Sequence, residues 1–417
     1  MNRMSRGSVK AYWYVVGICA MVLFFLFFKL SWQPASPWVL SKDDIAKALR
    51  RMPNLNQLPE ELTLADGEQI ITTVPEYTID QESQDYARKI FSQWKPDYGA
   101  LAVMDAHTGA ILTLVSYTSE AGFNSNLIAN NEFPAASVFK IVTATAAIDQ
   151  RLMTPDTVIP FNGRGTTLYR SNVMSTNTNR WTRYPSLRKA FGQSVNTVFG
   201  KMGIFYVGSQ KMAHYAELFG FNQHFKSDLP LPFGTTGLPT DDEWSVVEAA
   251  SGFTASNTLS PVHGAMLAAS IVNNGEMMAP YVVYSLKDKN TGAQLYESVP
   301  ELVSRTMRPQ TALSMRELMK ETILSGTGRK SFRTFSRHRK LQDVMVGAKS
   351  GTLDSENPKG RCDWFVGYSQ RGQQKLAFAA VTVHEKFWRV KSSTIIKDYL
   401  SHYYLNNKDR EPVGSHL

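Results

Sequence analysis

The first apolar run is also the longest. It is uncharged from Ala11 to Phe28 and is bounded by Lys10 and Lys29. Eighteen residues of helix rise roughly 27 Å, close to the thickness of a bilayer core. Tyr12, Trp13 and Tyr14 suit one interface and Trp32 the other. Arg3, Arg6 and Lys10 favour a cytoplasmic N-terminus. The pattern predicts a cytoplasmic tail over 1–10, a single-pass anchor in the cytoplasmic membrane over 11–30, and export of everything after Ser31. A cleaved signal peptide is the alternative, but the run is long for one and shows no clear A-x-A site. A lipoprotein site at Cys19 fits less well still, since the apolar run continues past it.

Residues 31–95 read as a stalk with a small lead-in. Pro34 and Pro37 argue for an extended start. Asp43 to Arg51 suits a short helix capped by Ser41, and Gln81 to Trp94 a second helix. The period then changes. Gly99 to Asp105 and Ala110 to Tyr117 are strand-like runs with His107, Thr108 and Gly109 in the turn between them, which is a hairpin signal. Helical patterning dominates from Phe133 to Gly275, broken around Gly163, Ser194, Gly234 and Ser256. Strands return at Val344–Thr352, Trp364–Ser369 and Leu376–His384, and Ser393 to Tyr404 closes as a helix. Strands at both ends with helices between predict a mixed α/β (α+β) domain over 96–404. Its central antiparallel sheet would be built from N- and C-terminal strands, flanked by helices, with a mainly helical lobe inserted. Residues 405–417 read as a polar tail.

Composition narrows the class. With 43% hydrophobic residues among 417, a packed core is expected. The net charge of +9 favours anionic neighbours, but no nucleic-acid motif accompanies it, so no nucleic-acid partner is expected. Beyond the first apolar run Cys362 stands alone, which excludes an internal disulfide there. No H-E-x-x-H, Cys/His cluster or G-x-x-x-x-G-K-[ST] suggests a metal or nucleotide, so neither a metal nor a cofactor is expected.

Three short motifs carry the candidate chemistry. Ser137-Val138-Phe139-Lys140 opens an alanine-rich segment just after Pro134. On a helix Ser137 and Lys140 share a face at the positive end of the dipole. A serine hydroxyl needs a base, and a lysine serves as one only where burial or neighbouring charge lowers its pKa. Taken alone, a capping serine with a solvated lysine is the plainer reading. Ser194-Val195-Asn196 suits a loop tip aiming two polar side chains into a cleft, or an ordinary helix start. Lys349-Ser350-Gly351-Thr352 ends a strand-like run. Lys349 would supply charge, Gly351 would let a substrate backbone approach, and Ser350 or Thr352 would hold a carboxylate. A strand ending in a turn explains the same string. The order is more specific than the parts. Ser194 follows Ser137 by 57 positions, and Lys349 follows Ser194 by 155. S-x-x-K, S-D-N and K-T-G sets mark penicillin-binding proteins and class A β-lactamases.

In these motifs the chain resembles the penicillin-binding transpeptidase domain. Further stretches fit it: Ala102 to Leu112, Phe133 to Thr143, Leu259 to His263, Ile271 to Gly275, Gly326 to Gly328 and Asp363 to Tyr368. The likeness runs roughly from Thr78 to Tyr404. It implies that Ser137 attacks the carbonyl of a D-Ala-D-Ala peptide with Lys140 as base. Ser194 and Asn196 would relay a proton and hold the substrate amide. Lys349, Ser350 and Thr352 would bind the terminal carboxylate, and the backbone N–H groups of Ser137 and Thr352 would form an oxyanion hole. The implied partners are peptidoglycan stem peptides, β-lactam antibiotics, the cytoplasmic membrane and a separate glycosyltransferase.

The departures are small. Ser350 stands where threonine is commoner, a hydroxyl for a hydroxyl. No glycosyltransferase region is visible. A β-lactamase would need a deacylating base, and no E-x-x-L-N string lies between Asn196 and Lys349. A carboxylated Lys140, a carboxypeptidase using water as acceptor, and a sensor or scaffold that binds without turnover all stay open. His107, His263 and His384 read as structural. Arg329, Lys330, Arg333, Arg337, Arg339 and Lys340 form a basic segment with no acid among them. It reads as a solvated hairpin beside the Lys349 strand, or as an electrostatic guide for an anionic partner.

Overall fold

The computed structural model describes Met21 and residues 39–52, 54–66 and 69–406. Apart from Met21, the expected anchor over 11–30 lies outside the described residues, as do the cytoplasmic tail over 1–10 and all but the start of the terminal tail. Among the described residues no helix is long and apolar enough to cross a membrane.

The first described elements are α1 (Lys42–Arg50), β1 (Leu62–Asp66), β2 (Gln69–Tyr77) and α2 (Gln81–Trp94). Ser41 caps α1, its hydroxyl accepting from the Asp44 N–H while Asp44 reaches back to the cap, which closes a capping box. The expected stalk is folded structure in this part. β2 pairs antiparallel with β1 on one side and with β6 (Val283–Asp288) on the other, and β7 (Gln294–Glu297) completes a four-stranded sheet. The sequence pattern did not show this sheet. Pro75 interrupts β2, and its side chains are mostly exposed or half-buried, so neither a clean alternation nor a continuous apolar run marks it.

The expected hairpin is β3 (Tyr98–Asp105) against β4 (Ile111–Thr118). The late strands are β9 (Met345–Glu356), β10 (Lys359–Arg371) and β11 (Gln374–His384). All five pair antiparallel in the order β4-β3-β11-β10-β9, so the two ends of the domain share one sheet and β9 is its edge. Both faces are covered, and nearly every residue of β3 and β4 is buried. This is why those strands read as continuous apolar runs rather than alternating ones.

Alternation decides which layer each residue joins. Ala100, Ala102 and Met104 face one core with Trp364 and Val366, while Leu101 and Val103 face the other with Phe365 and Phe378. The first core holds α3 (Lys140–Asp149) and α6 (Pro261–Val272). All twelve residues of α6 are buried, as befits a helix apolar on every side. The second core holds α2 and the closing helix α8 (Ser392–Asn406). Burying each large aliphatic or aromatic side chain here is worth roughly 1.5–3 kcal/mol. The helical lobe lies between β4 and β9 in the chain. It includes α4 (Asn196–Lys201), α5 (Glu243–Ser251) and α7 (Pro309–Leu324).

Candidate active site

Ser137 lies in a tight 3₁₀ turn, Ala136–Phe139, and α3 begins only at Lys140. The expected α-helical start is therefore one turn late. The consequence is favourable, because residues three apart eclipse in a 3₁₀ turn. Lys140 Nζ sits 2.6 Å from Ser137 Oγ. The turn is held on several sides. Trp364 of β10 donates its indole N–H to the Pro134 carbonyl at 2.9 Å, and the Ala135 N–H donates to the Asn257 carbonyl at 2.7 Å. Ala136 has a φ of 48°, in the left-handed region. Such a residue costs of order 1–3 kcal/mol and persists only where its surroundings fix it.

Lys140 is fully buried. Besides Ser137 its amine meets Asn196 Oδ1 at 2.8 Å and the Ser251 carbonyl. Those two partners accept only, whereas the serine hydroxyl can also donate. A neutral amine satisfies all three by giving two N–H bonds and taking the serine proton on its lone pair. Burial, and then the charge of Lys349, push Lys140 well below the ordinary lysine value. The Phe199 ring, 5.5 Å from Nζ, covers one side.

Ser194 occupies a loop residue with φ 56°, and Asn196 opens α4. The Asn196 amide donates to the Thr166 carbonyl at 2.9 Å, which turns its oxygen toward Lys140. Lys349 extends from the edge strand β9 and donates to Ser194 Oγ at 2.9 Å and to its neighbour's carbonyl, Ser350 O, at 2.8 Å. It too is fully buried, and burial lowers its pKa to about 7. Lys349 and Gly351 share the face of β9 that meets the nucleophile turn. A Cβ on Gly351 would lie 3.2 Å from the Ala135 carbonyl, from Ala136 Cβ and from Val138 Cγ2. Ser350 and Thr352 point to the opposite face. The structure thus brings Ser137, Lys140, Ser194, Asn196 and Lys349 into one cluster with Gly351, while the Ser350 and Thr352 hydroxyls lie on Thr327 and Asp363.

Three partners were not visible in the sequence. The Ser350 hydroxyl meets Thr327 Oγ1 at 2.6 Å. Thr352 donates to Asp363 Oδ1 at 3.2 Å, directly across the β9–β10 ladder, and burial raises the Asp363 carboxyl to about 6. Gly252 backs the nucleophile, and a Cβ there would sit 2.0 Å from the Ala136 carbonyl and 2.9 Å from the Ser137 nitrogen. The Gly326–Gly328 and Asp363–Tyr368 strings fitted the resemblance but gave Thr327 and Asp363 no role, and nothing pointed to Gly252. His263 lies outside the cluster. It takes the Gly234 N–H at 2.9 Å on Nδ1 and donates to the Phe219 carbonyl at 2.7 Å through Nε2, a structural role.

A sheet covered by helices on both faces, with a buried lysine amine on a serine hydroxyl beside its edge strand β9, is an arrangement able to support acyl transfer to a serine. Residues 99–400 match the family model of the penicillin binding protein transpeptidase domain, and the chain belongs to that family. It is 26% identical over 327 residues to the peptidoglycan D,D-transpeptidase PbpA of Mycolicibacterium smegmatis, covering 69% of this chain and 62% of that one. It spans less than two thirds of that relative's length. Among solved structures, the D,D-transpeptidase domain of a peptidoglycan glycosyltransferase from Eggerthella lenta has a TM-score of 0.66 at 24% identity. That match covers 80% of this chain and 84% of the other. Penicillin-binding protein A of Mycobacterium tuberculosis, solved as an imipenem acyl-enzyme, has a TM-score of 0.62 at 24% identity, covering 79% of each chain.

Proposed function

We propose that this protein is a peptidoglycan D,D-transpeptidase working through an acyl-enzyme on Ser137, and that residues 11–30 hold it in the cytoplasmic membrane with the enzyme domain outside. The observation that carries the chemistry is the fully buried Lys140 amine 2.6 Å from the Ser137 hydroxyl. In this reading Lys140 takes the serine proton as Oγ attacks the penultimate D-Ala carbonyl. Ser194 and Lys349 return a proton to the leaving D-Ala nitrogen, and Asn196 orients both the amine and the substrate amide. Lys349 receives the terminal carboxylate, and the Ser350 and Thr352 hydroxyls join it by turning from Thr327 and Asp363 round the edge of β9. The backbone N–H groups of Ser137 and Thr352 then face the developing oxyanion. Ser350 turns its carbonyl toward Lys349. Thr352, two residues along the strand, presents its N–H to that same side. An amine of a second stem peptide then accepts the acyl group.

The test is the intact mass of the full chain after a pulse of penicillin. The parent should gain one penicilloyl group. Ser137→Ala should gain none while keeping the parent's melting temperature. A labelled Ser137→Ala protein would sink the assignment.

A further inference from the structure

We propose that the cavity at the end of α4 is a saccharide subsite, which seats one ring of the glycan strand that carries the donor stem peptide. This deepens the transpeptidase reading above, and its place in the reaction rests on that reading. The cavity measures about 180 Å³. That is below the range that holds drug-sized ligands and leaves room for one small ring.

A long excursion of the chain closes over α4 to form it. Phe161 and Arg183 exchange backbone hydrogen bonds at 3.0 Å, so residues 162–182 leave and return at one place. Asn162 braces the excursion, donating to the Asn177 carbonyl at 3.0 Å and accepting from the Thr182 hydroxyl at 2.8 Å. Lys201, only 8% exposed, donates to the Pro160 carbonyl at 3.1 Å and to the Ser175 carbonyl at 2.8 Å. A lysine ammonium has three N–H bonds, so one is left for a ligand in the cavity that this side chain lines. The Thr176 and Thr178 hydroxyls line it too and bond no other described residue.

The opposite wall is aromatic. α4 continues into a π-helical turn, Met202–Val207, of a kind frequent at functional sites. The turn brings two successive rings to the surface: Phe205 is 50% and Tyr206 48% exposed, and both line the cavity. A sugar ring has an apolar C–H face and an edge of hydroxyl and amide groups. Ring faces on one side and free O–H and N–H groups on the other match both. A membrane surface would meet the rings but could not reach the groups inside.

The position suits a donor strand. Asn162 lines the cavity, and four residues later the Thr166 carbonyl accepts from the Asn196 amide in the active site. Four residues of extended chain span at most roughly 14 Å. A stem peptide of similar length, hanging from a ring in the cavity, reaches Ser137 alongside this loop. Arg164, Arg180 and Arg183 are exposed and make no ion pair among the described residues, so they are available to the carboxylates of the stem. No acid lies between Asp156 and Glu217 to repel it.

The experiment uses the full-length parent, the variant Phe205→Ala/Tyr206→Ala, and the variant Thr176→Val/Thr178→Val, which keeps the aromatic wall. The probe is glycan strand freed of its stem peptides, titrated by calorimetry. We expect the first variant to bind about tenfold more weakly, the size of one aromatic contact. The second should lose about fivefold, the size of one neutral hydrogen bond. The stripped strand is neutral, so binding should not change with salt. Penicillin acylation should stay within about twofold of the parent, far less than either contact is worth. Unchanged glycan binding in both variants would overturn the subsite, and if the first variant fails to fold the second decides alone. A parent that binds anionic vesicles but no stripped glycan would overturn it as well. A parent that binds glycan but forms no penicilloyl adduct would support the saccharide site and sink the transpeptidase reading, and with it the site's place in the reaction.

Discussion

Two groups of cations in this domain are held in opposite ways. Lys140 and Lys349 are fully buried, each with its amine among oxygen acceptors and over an aromatic face. Arg329, Lys330, Arg333, Arg337, Arg339 and Lys340 begin two residues after Thr327, which bonds Ser350. All six are exposed, and none makes an ion pair among the described residues. Burial penalises charge, so the first pair is poised to lose protons. The same residue type thus acts as a titrating group on one side of Thr327 and as a source of field on the other.

The largest expected effect comes from forcing a buried amine to behave like an exposed one. Lys140→Arg keeps a charge that cannot be given up. Penicillin acylation should fall by about 10³-fold, within the range for loss of a general base. Lys349→Arg keeps a field that a carboxylate can use and should lose only about tenfold, the worth of one charge-assisted contact. Second-order acylation rates with a fluorescent penicillin decide this. Equal losses in the two variants would erase the distinction between base and carboxylate holder.

A change of backbone room ranks next. Gly252 has a φ of 65° and no space for a Cβ against the Ala136 carbonyl, which is backbone and cannot swing away. Gly252→Ala should displace the nucleophile turn and cut acylation by about 10²-fold, as an ångström of misplacement does. A rate within twofold of the parent, measured on folded protein, would show that the turn tolerates movement. This residue also marks how far the sequence could be read. Ser137 and Lys140 were legible because three-residue spacing fixes a shared face, and β3, β4, β10 and β11 because double burial leaves continuous apolar runs. Gly252 and the Ser251 carbonyl were not, since they reach the site through tertiary approach and through backbone atoms that no side chain announces, and the string around Thr327 carried no sign of its contact with Ser350. The end of β9 was hidden too, because its last residues alternate exposed polar groups that read as a turn.

The pH profile separates the two buried amines more gently. Lys349 titrates at about 7 instead of 10.5. It is therefore charged below pH 7 and loses its hold on a carboxylate as pH rises through that value. Lys140 acts in the opposite sense, since only its neutral form accepts a proton. Acylation should rise with pH and then fall with a limb near 7. In Lys349→Arg the falling limb should move to much higher pH, because guanidinium stays charged. Between pH 7 and 10.5 the unfolded chain binds a proton at Lys349 that the native protein does not. Stability should accordingly rise with pH across that window. A falling limb that stays in place in Lys349→Arg would assign it to another group.

The exposed segment should give the smallest effect and the one most sensitive to conditions. The structure shows no hairpin here. Arg329–Phe332 is a short helix and Arg339–Leu341 a 3₁₀ turn, with Phe332, Phe335 and Leu341 buried beneath. The apolar side chains anchor the segment, which runs from Gly328, just after Thr327, to Lys340, whose carbonyl accepts from Arg371 at the far end of β10. Six like charges held this way repel one another and gain no ion pair among the described residues, so an external anion would be attracted to them. Neutralising Arg333, Arg337 and Arg339 to Gln should leave acylation by a small penicillin unchanged. It should weaken binding of the full chain to sacculi several-fold at low salt. The Debye length is about 30 Å at 0.01 M and about 8 Å at physiological ionic strength, so the difference should shrink over that range. Equal binding of parent and variant at low salt would mean that the segment's charge serves solubility alone. A difference that persists at high salt would mean that the arginines make direct, desolvated contacts, and the two groups of cations would then differ less than their exposure suggests.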